Sequence, residues 1–322
     1  MRKFAGFFWL NFIVVLFWVH PPAADGGPFR SQRAGFSLYV NDIENPYEIM
    51  TVFALPGENL KIVIKKKTAA HEYRLYSPGG SIIPAAGHRW DWRVPGKPGR
   101  YLLKIADLSG RHHMSLNVFV MVPLDRIEKG FLNGYEIGNY PQIALRGLAI
   151  YRPPRGLVEV TSRNEDTFVS PHFKLKQFLC KQSGEYPKYL VLKEKLLLKL
   201  ELILEKVNEK GYRSDTFHVM SGYRTPYYNK AIGNVKYSRH IYGGAADIFI
   251  DENPKDGVMD DLNEDGKIDY RDAAVLYRII DGLYGKPFYE RFLGGLARYK
   301  KTVNHGPFVH VDVRGRRARW GN

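Results

Sequence analysis

Cysteine is nearly absent. Cys180 is the one example in 322 residues, which excludes an internal disulfide and leaves the fold to its apolar core and to any metal it binds. It stands in Phe178-Leu179-Cys180, where apolar neighbours mark a small buried hydrophobe and not a nucleophile. Acid is also short, with 33 Asp and Glu against 48 Lys and Arg and a formal charge of +15. That imbalance favours an anionic partner. The remaining composition, 44% hydrophobic and 25% charged, excludes both a disordered chain and a multi-span membrane protein. At this length two cores are expected, an accessory domain and a larger one.

The chain opens with Met1-Arg2-Lys3, a mostly apolar run from Phe4 to Val19, and then His20-Pro21-Pro22-Ala23-Ala24-Asp25. A basic start, a short apolar stretch and small residues after a Pro pair are the parts of an export signal over residues 1–24, cleaved or kept as an anchor. Export turns the anionic partner toward wall or membrane polymers and away from nucleic acid. The closing Arg314-Gly315-Arg316-Arg317-Ala318-Arg319-Trp320 then reads as a solvated end or an anchor on anionic wall polymer. No protein partner is implied.

Short runs rich in Val, Ile, Tyr and Phe at Asn59–Lys65, Glu72–Tyr76, Tyr101–Ile105 and Leu116–Val122, broken by Pro and Gly, predict a small all-β sandwich over residues 25–123. Its Trp90-Asp91-Trp92-Arg93-Val94-Pro95 segment resembles an immunoglobulin-like module of bacterial surface proteins. Sandwich cores commonly bury Trp, which favours a core role over a sugar-stacking platform. Residues 124–169, rich in Gly, Pro and Tyr, are a connecting segment too aromatic to be a free tether. Lys188 to Lys210, dense in Leu, Glu and Lys and ending at Gly211, predicts a long core helix with a glycine stop.

Chemistry concentrates after that helix. Ser221-Gly222-Tyr223-Arg224-Thr225-Pro226 with Asn229, then Ser238-Arg239-His240 and Gly243-Gly244-Ala245-Ala246-Asp247, then Phe308-Val309-His310-Val311-Asp312 resemble the zinc D-Ala-D-Ala carboxypeptidase and murein endopeptidase family. That family shares its core with lysostaphin-type enzymes and the hedgehog signalling domain. Alternation along the two strand-like runs puts Asp247 on the face it shares with Phe249 and Asp251, and His310 on the face it shares with Asp312. If the strands pair, Asp247 and His310 meet, and the Gly243-Gly244 turn can bring His240 to the same point. Two imidazoles and a carboxylate with an open fourth position are the make-up of a catalytic zinc site.

A planar, permanently charged guanidinium suits bidentate capture of a carboxylate, and the resemblance implies that Arg224 recognises one on the substrate, with Ser238 and Asn229 in support. Many family members carry an acid three residues before the last zinc His; here that position is Pro307. Asp312 and His305 are the remaining candidates for the base. Asp312 can instead orient the His310 imidazole, and His305 can act as the electrophilic helper. The residues leave that choice open.

Inside the same region, Asp261, Asn263, Asp265, Lys267, Asp269 and Asp272 stand at positions 1, 3, 5, 7, 9 and 12 of a loop with Gly266 at 6. That spacing meets the needs of a calcium loop, with Lys267 offering its carbonyl. The Asp at position 12 resembles dockerin-type loops. The expectation is an α+β catalytic domain, an antiparallel sheet with flanking helices over residues 170–322, carrying a calcium-loop insertion at 251–283. Its expected partner is a peptidoglycan stem peptide and its expected ions are zinc and calcium. A zinc-containing wall-binding module without hydrolysis is the second reading, and a calcium-dependent surface scaffold the third.

Overall fold

Strand Asn59–Lys65 sends Leu60, Ile62 and Ile64 inward and the residues between them outward, as a period of two requires of a strand with one wet face. The computed structural model describes residues 28–65, 72–85, 87–108 and 112–321, so the segment read as an export signal lies outside it. Nine strands make its first part: β1 (Arg33–Val40), β2 (Ile43–Tyr47), β3 (Ile49–Ala54), β4 (Asn59–Lys65), β5 (Tyr73–Tyr76), β6 (Ser81–Ala85), β7 (Arg89–Arg93), β8 (Gly99–Asp107) and β9 (His113–Val120). They form two sheets, ordered β2-β1-β4-β7-β6 and β3-β9-β8-β5. Phe36, Leu38, Ile62 and Trp92 of the first share a core with Val52, Leu103, Ile105 and Val118 of the second. Trp92 is fully buried and donates its indole N–H to the Gly79 carbonyl at 3.0 Å.

Short elements follow: β10 (Val122–Pro123), the ribbon β11 (Phe131–Leu132) with β12 (Tyr135–Glu136), β13 (Gly156–Val160), the ribbon β14 (Phe168–Ser170) with β15 (Phe173–Lys174), and β16 (Lys188–Leu190). Leu132, Tyr135, Ile137, Tyr140 and Tyr151 of this stretch enter the larger of the two cores. The helix expected from Lys188 begins only at Glu194. Lys188–Leu190 is extended instead, because β13 offers it a backbone partner, with Val158 opposite Leu190, and tertiary pairing overrides a leucine-rich local signal. Helix α1 (Glu194–Glu209) buries Leu196, Leu200, Ile203 and Val207 completely, one stripe at helical spacing. It stops at Gly211, whose φ of 88° suits a residue without a side chain.

The last part holds β17 (His218–Ser221), α2 (Pro226–Ala231), β18 (Ala245–Phe249), α3 (Tyr270–Asp281), β19 (Gly295–Tyr299), β20 (Phe308–Asp312) and β21 (Ala318–Trp320), with sheet order β17-β18-β20-β19-β21. Only the β19–β21 pair is parallel. Helix α3 packs on β19 and β20, and α1 on α3. Sheets predominate and helices are few, an α+β arrangement. Among the described residues no helix is long and apolar enough to cross a membrane.

His172 ties the start of the described chain to α1. Its Nδ1 meets Glu201 Oε2 at 2.7 Å, its Nε2 meets the Arg30 carbonyl at 2.9 Å, and its ring stacks on Phe29. Both partners are acceptors, so only the doubly protonated imidazolium satisfies both. Burial opposes that charge, but the Glu201 hydrogen bond and field outweigh it and the pKa rises. A raised folded pKa gives stability that is complete below the unfolded value near ~6.5 and is lost as pH climbs through the folded one. The denaturation midpoint of wild type should therefore exceed that of His172→Phe by more at pH 6 than at pH 9; an equal gap at both would refute the charged clasp.

Candidate metal centre

Strand β18 is buried along its whole length, and its antiparallel ladder with β20 sets Asp247 directly opposite His310. His240 arrives from a single 3-10 turn, Arg239–Tyr242, that ends on Gly243 at φ 63°. A Cβ on Gly243 would lie 2.3 Å from the Val191 carbonyl oxygen, so both the reversal and the close approach require glycine.

Each imidazole is turned by an outer acceptor. His240 Nδ1 lies 2.6 Å from the Gly222 carbonyl oxygen, and His310 Nε2 lies 3.3 Å from Asp312 Oδ2. Their other nitrogens face one carboxylate oxygen. His240 Nε2 is 3.3 Å from Asp247 Oδ1 and 3.3 Å from His310 Nδ1, and His310 Nδ1 is 2.7 Å from Asp247 Oδ1. These three atoms form the one group of metal-capable donors at this point, all from buried residues. Tetrahedral zinc with ligands at 2.0–2.1 Å separates neighbouring donors by about 3.3 Å, which two edges of the triangle match, while the third, at 2.7 Å, is a hydrogen-bond distance that an ion would have to widen. With an outer acceptor beside each outer nitrogen, the inner nitrogens of His240 and His310 converge on one carboxylate oxygen, an arrangement in which a dication can take the place of the shared proton. Burial alone would raise the Asp247 carboxyl, but His240 and His310 hold it well below the usual range. Burial lowers His240, whereas Asp247 and Asp312 raise His310 against it.

The triad lies in the wall of an open cleft of about 990 Å³, with Ser221, Tyr299, His305 and Trp320 also lining it. Residues 171–270 match the Peptidase M15 family model. The match supports the M15 zinc peptidases as the family of that segment, and the His240–Asp247–His310 cluster agrees with a zinc-dependent hydrolase. The matched span holds Arg224, His240 and Asp247; His310 lies past its end. No curated protein matches the chain. Among solved structures, a nucleoside hydrolase-related hypothetical protein from Saccharophagus degradans, associated with carbohydrate metabolism, aligns at 14% identity and TM-score 0.21, covering 27% of this chain and 26% of that one. A likeness that slight carries no argument about an M15-type site.

The other residues singled out from sequence fall in several places. Arg224 lines the cleft, but the bidentate edge expected to grip substrate is already taken: Nη2 donates to Asp247 Oδ2 at 2.7 Å and Nε to Ser221 Oγ at 2.8 Å. Ser238 lines the cleft and Asn229 does not. Buried Asn229 donates to the Val235 carbonyl at 3.0 Å and braces the turn below the cleft, which corrects its expected place beside the substrate. His305 lines the cleft, with Nδ1 2.8 Å from the Gly306 carbonyl oxygen and its ring edge-on to Phe308.

Asp312 is fully buried and absent from the cleft wall. It accepts from the Gly295 amide at 2.8 Å, from the Arg314 amide at 3.0 Å and from Arg314 Nε at 2.9 Å, besides its contact with His310. Burial would raise this carboxyl, but His310 and Arg314 hold it far below the usual range. Of the two roles left open by the sequence, base and brace for His310, only the brace suits this position.

Calcium is unsupported. The Asp261–Asp272 carboxylates turn to their own backbone: Asp261 Oδ2 accepts from the Gly266 amide at 2.7 Å, Asn263 Oδ1 from Asp265 at 2.9 Å and Asp265 Oδ1 from Lys267 at 3.0 Å. Asp269 caps α3, and buried Asp272 accepts from the Leu262 and Asp269 amides at 2.9 and 2.8 Å. The loop's acids form no second metal-capable group among the described residues.

Of the C-terminal arginines, Arg316 and Arg317 are exposed, whereas Arg314 and Arg319 depart from a solvated end. Arg314 grips Asp312, and Arg319 donates to Asp281 Oδ1 at 2.7 Å while stacking on Tyr284. Sequence reasoning missed Arg314 although a signal was present: His310, Asp312 and Arg314 alternate along one line, so one face carries all three.

Proposed function

We propose that this chain is an exported zinc metallopeptidase of the cell envelope that hydrolyses peptide bonds next to D-amino acids in peptidoglycan stem peptides or cross-links. The observation that carries the reading is the three-donor triangle opening on a cleft, within and beside a segment that matches the M15 peptidases. Bound zinc supplies an acidified water and polarises the scissile carbonyl. Arg224 holds Asp247 by its second oxygen, and Asp312 holds His310 from behind, so both ligands are fixed before any ion or substrate arrives. His305, the cleft imidazole outside the triad, is assigned proton transfer at the reacting centre.

The cleft wall also carries Lys181, Lys236, Arg239 and Arg314, whereas Asp247 is its only acid. That imbalance suits a substrate rich in carboxylates, as stem peptides are. Residues 25–123 serve in this reading as an immunoglobulin-like accessory domain and 124–169 as a segment joining it to the peptidase body. One observation favours the runner-up, a zinc-containing wall-binding module: no Asp or Glu besides Asp247 faces the cleft to act as a carboxylate base. Purified peptidoglycan incubated with the protein lacking residues 1–24 decides between them. Zinc-dependent release of D-alanine or of opened cross-links is expected; wall binding with bound zinc and no release would establish the module.

A further inference from the structure

Arg239 stands next to His240 in the chain, lines the same cleft and is almost completely buried. Its guanidinium carbon lies 5.0 Å from the Tyr151 ring centre and 5.1 Å from that of Tyr242. Two aromatic neighbours at that range hold the cation and limit its rotation. Nη1 donates to the Ile150 carbonyl at 2.6 Å. Nε and Nη2 are buried with no hydrogen-bond partner. Those two atoms are the side-on fork that takes a carboxylate with two parallel hydrogen bonds.

The surroundings supply no internal partner for that fork. Asp312 is the acid whose field most favours the Arg239 charge, against a burial that lowers its pKa, yet the Asp312 oxygens are already engaged by Arg314, Gly295 and His310. Buried charged donors without partners are costly, and Arg239 lines the cleft while both donors are closed to solvent in this structure, so an anionic ligand that displaces the cover over them would satisfy both. Arg224, the residue whose type and motif suggested this task, cannot offer the same edge because Asp247 and Ser221 hold it.

We propose that Arg239 anchors a free carboxylate of the peptide substrate, through Nε and Nη2, beside the metal centre. This deepens the peptidase reading and rests on it for the identity of the ligand as a peptide acid. The class of ligand that fits is a peptide whose terminal carboxylate lies close to the scissile bond, so the subsite favours removal of a terminal residue over cleavage inside a cross-link.

The test uses the zinc-loaded protein with diacetyl-L-lysyl-D-alanyl-D-alanine and with its C-terminal amide, comparing equilibrium binding by calorimetry, or KM wherever the peptide turns over. Wild type should prefer the acid by about tenfold or more, the range of a desolvated bidentate pair. In Arg239→Met the ratio of acid to amide should fall to about one, with zinc content and melting temperature showing that the centre is intact. If the Met variant does not fold, Arg239→Lys decides, because it keeps the charge and loses the fork: a reduced ratio supports the assignment and an unchanged one overturns it. A wild type without acid preference, or a folded Arg239→Met that keeps it, would also overturn the assignment. Binding that prefers the acid through Arg239 without any hydrolysis would instead sink the peptidase reading and leave the subsite standing.

Discussion

Asp247→Ala should leave a protein that holds zinc poorly, hydrolyses nothing, and unfolds more easily even without metal. Three buried groups converge on this carboxylate: His240 and His310 on one oxygen, and the Arg224 guanidinium on the other at 2.7 Å. Alanine removes the only anionic ligand of the triangle, and zinc bound by two imidazoles alone is held far more weakly than at a three-ligand site. It also strands Arg224 in a buried position, and breaking a buried pair from one side costs about 3–5 kcal/mol. Metal content after dialysis reads the first effect and denaturant titration of the zinc-free protein reads the second. A variant with wild-type stability would mean that solvent reaches Arg224 and replaces the lost carboxylate.

Asp312→Ala should act on the same centre from behind. The loss removes the acceptor of His310 Nε2 and frees the Gly295 amide and the Arg314 fork inside the fold. Loss of a partner that orients a metal-bound imidazole lowers metal affinity by roughly 10–100-fold, and a stranded Arg314 adds less than the roughly 3–5 kcal/mol of a fully buried pair, because it is only partly buried and lines the open cleft. Zinc competition titration and denaturant unfolding measure the two. Asp312→Asn separates them, because it keeps the volume and one acceptor oxygen but turns an N–H₂ toward a donor. Near-normal zinc affinity in the Asn variant would show that the acceptor alone orients His310; loss as large as in the Ala variant would show that the charge is needed.

The His240–Asp247–His310 triangle was legible because its motifs resemble those of zinc peptidases and because two local rules bring them together. Alternation placed Asp247 and His310 on matching faces, and a glycine pair marked the reversal after His240; the observed ladder and the left-handed Gly243 are those features in space. The strands of the first unit were legible for the same reason, with Asn59–Lys65 reproduced end to end. What escaped depended on partners distant in the chain. Whether Lys188–Leu190 extended or coiled was decided by β13, about thirty residues earlier in the pairing of Val158 with Leu190. Whether an arginine of the site faced substrate or protein depended on which oxygens lay nearby, and residue type and motif gave Arg224 to the substrate although Asp247 and Ser221 hold its fork. The oxygens of the acidic loop occur at the intervals of a calcium loop, and the same intervals also serve turns in which each side chain takes the amide two to five residues ahead.

The ladder between β18 and β20 makes the distance between Asp247 and His310 independent of the chain that joins them. The pair stand 63 positions apart in sequence, and the length of that connection need not be fixed, since register within the sheet is set by the buried faces of the strands themselves. Chain-closure entropy rises only slowly with length, at about 0.6 kcal/mol per doubling. The exposed turns at 253–258 and 264–268 are therefore free to lengthen, shorten or be exchanged over evolutionary time, whereas α3 is held against β19 and β20. No residue from 250 to 294 lines the cleft, so such changes leave the metal centre as it is.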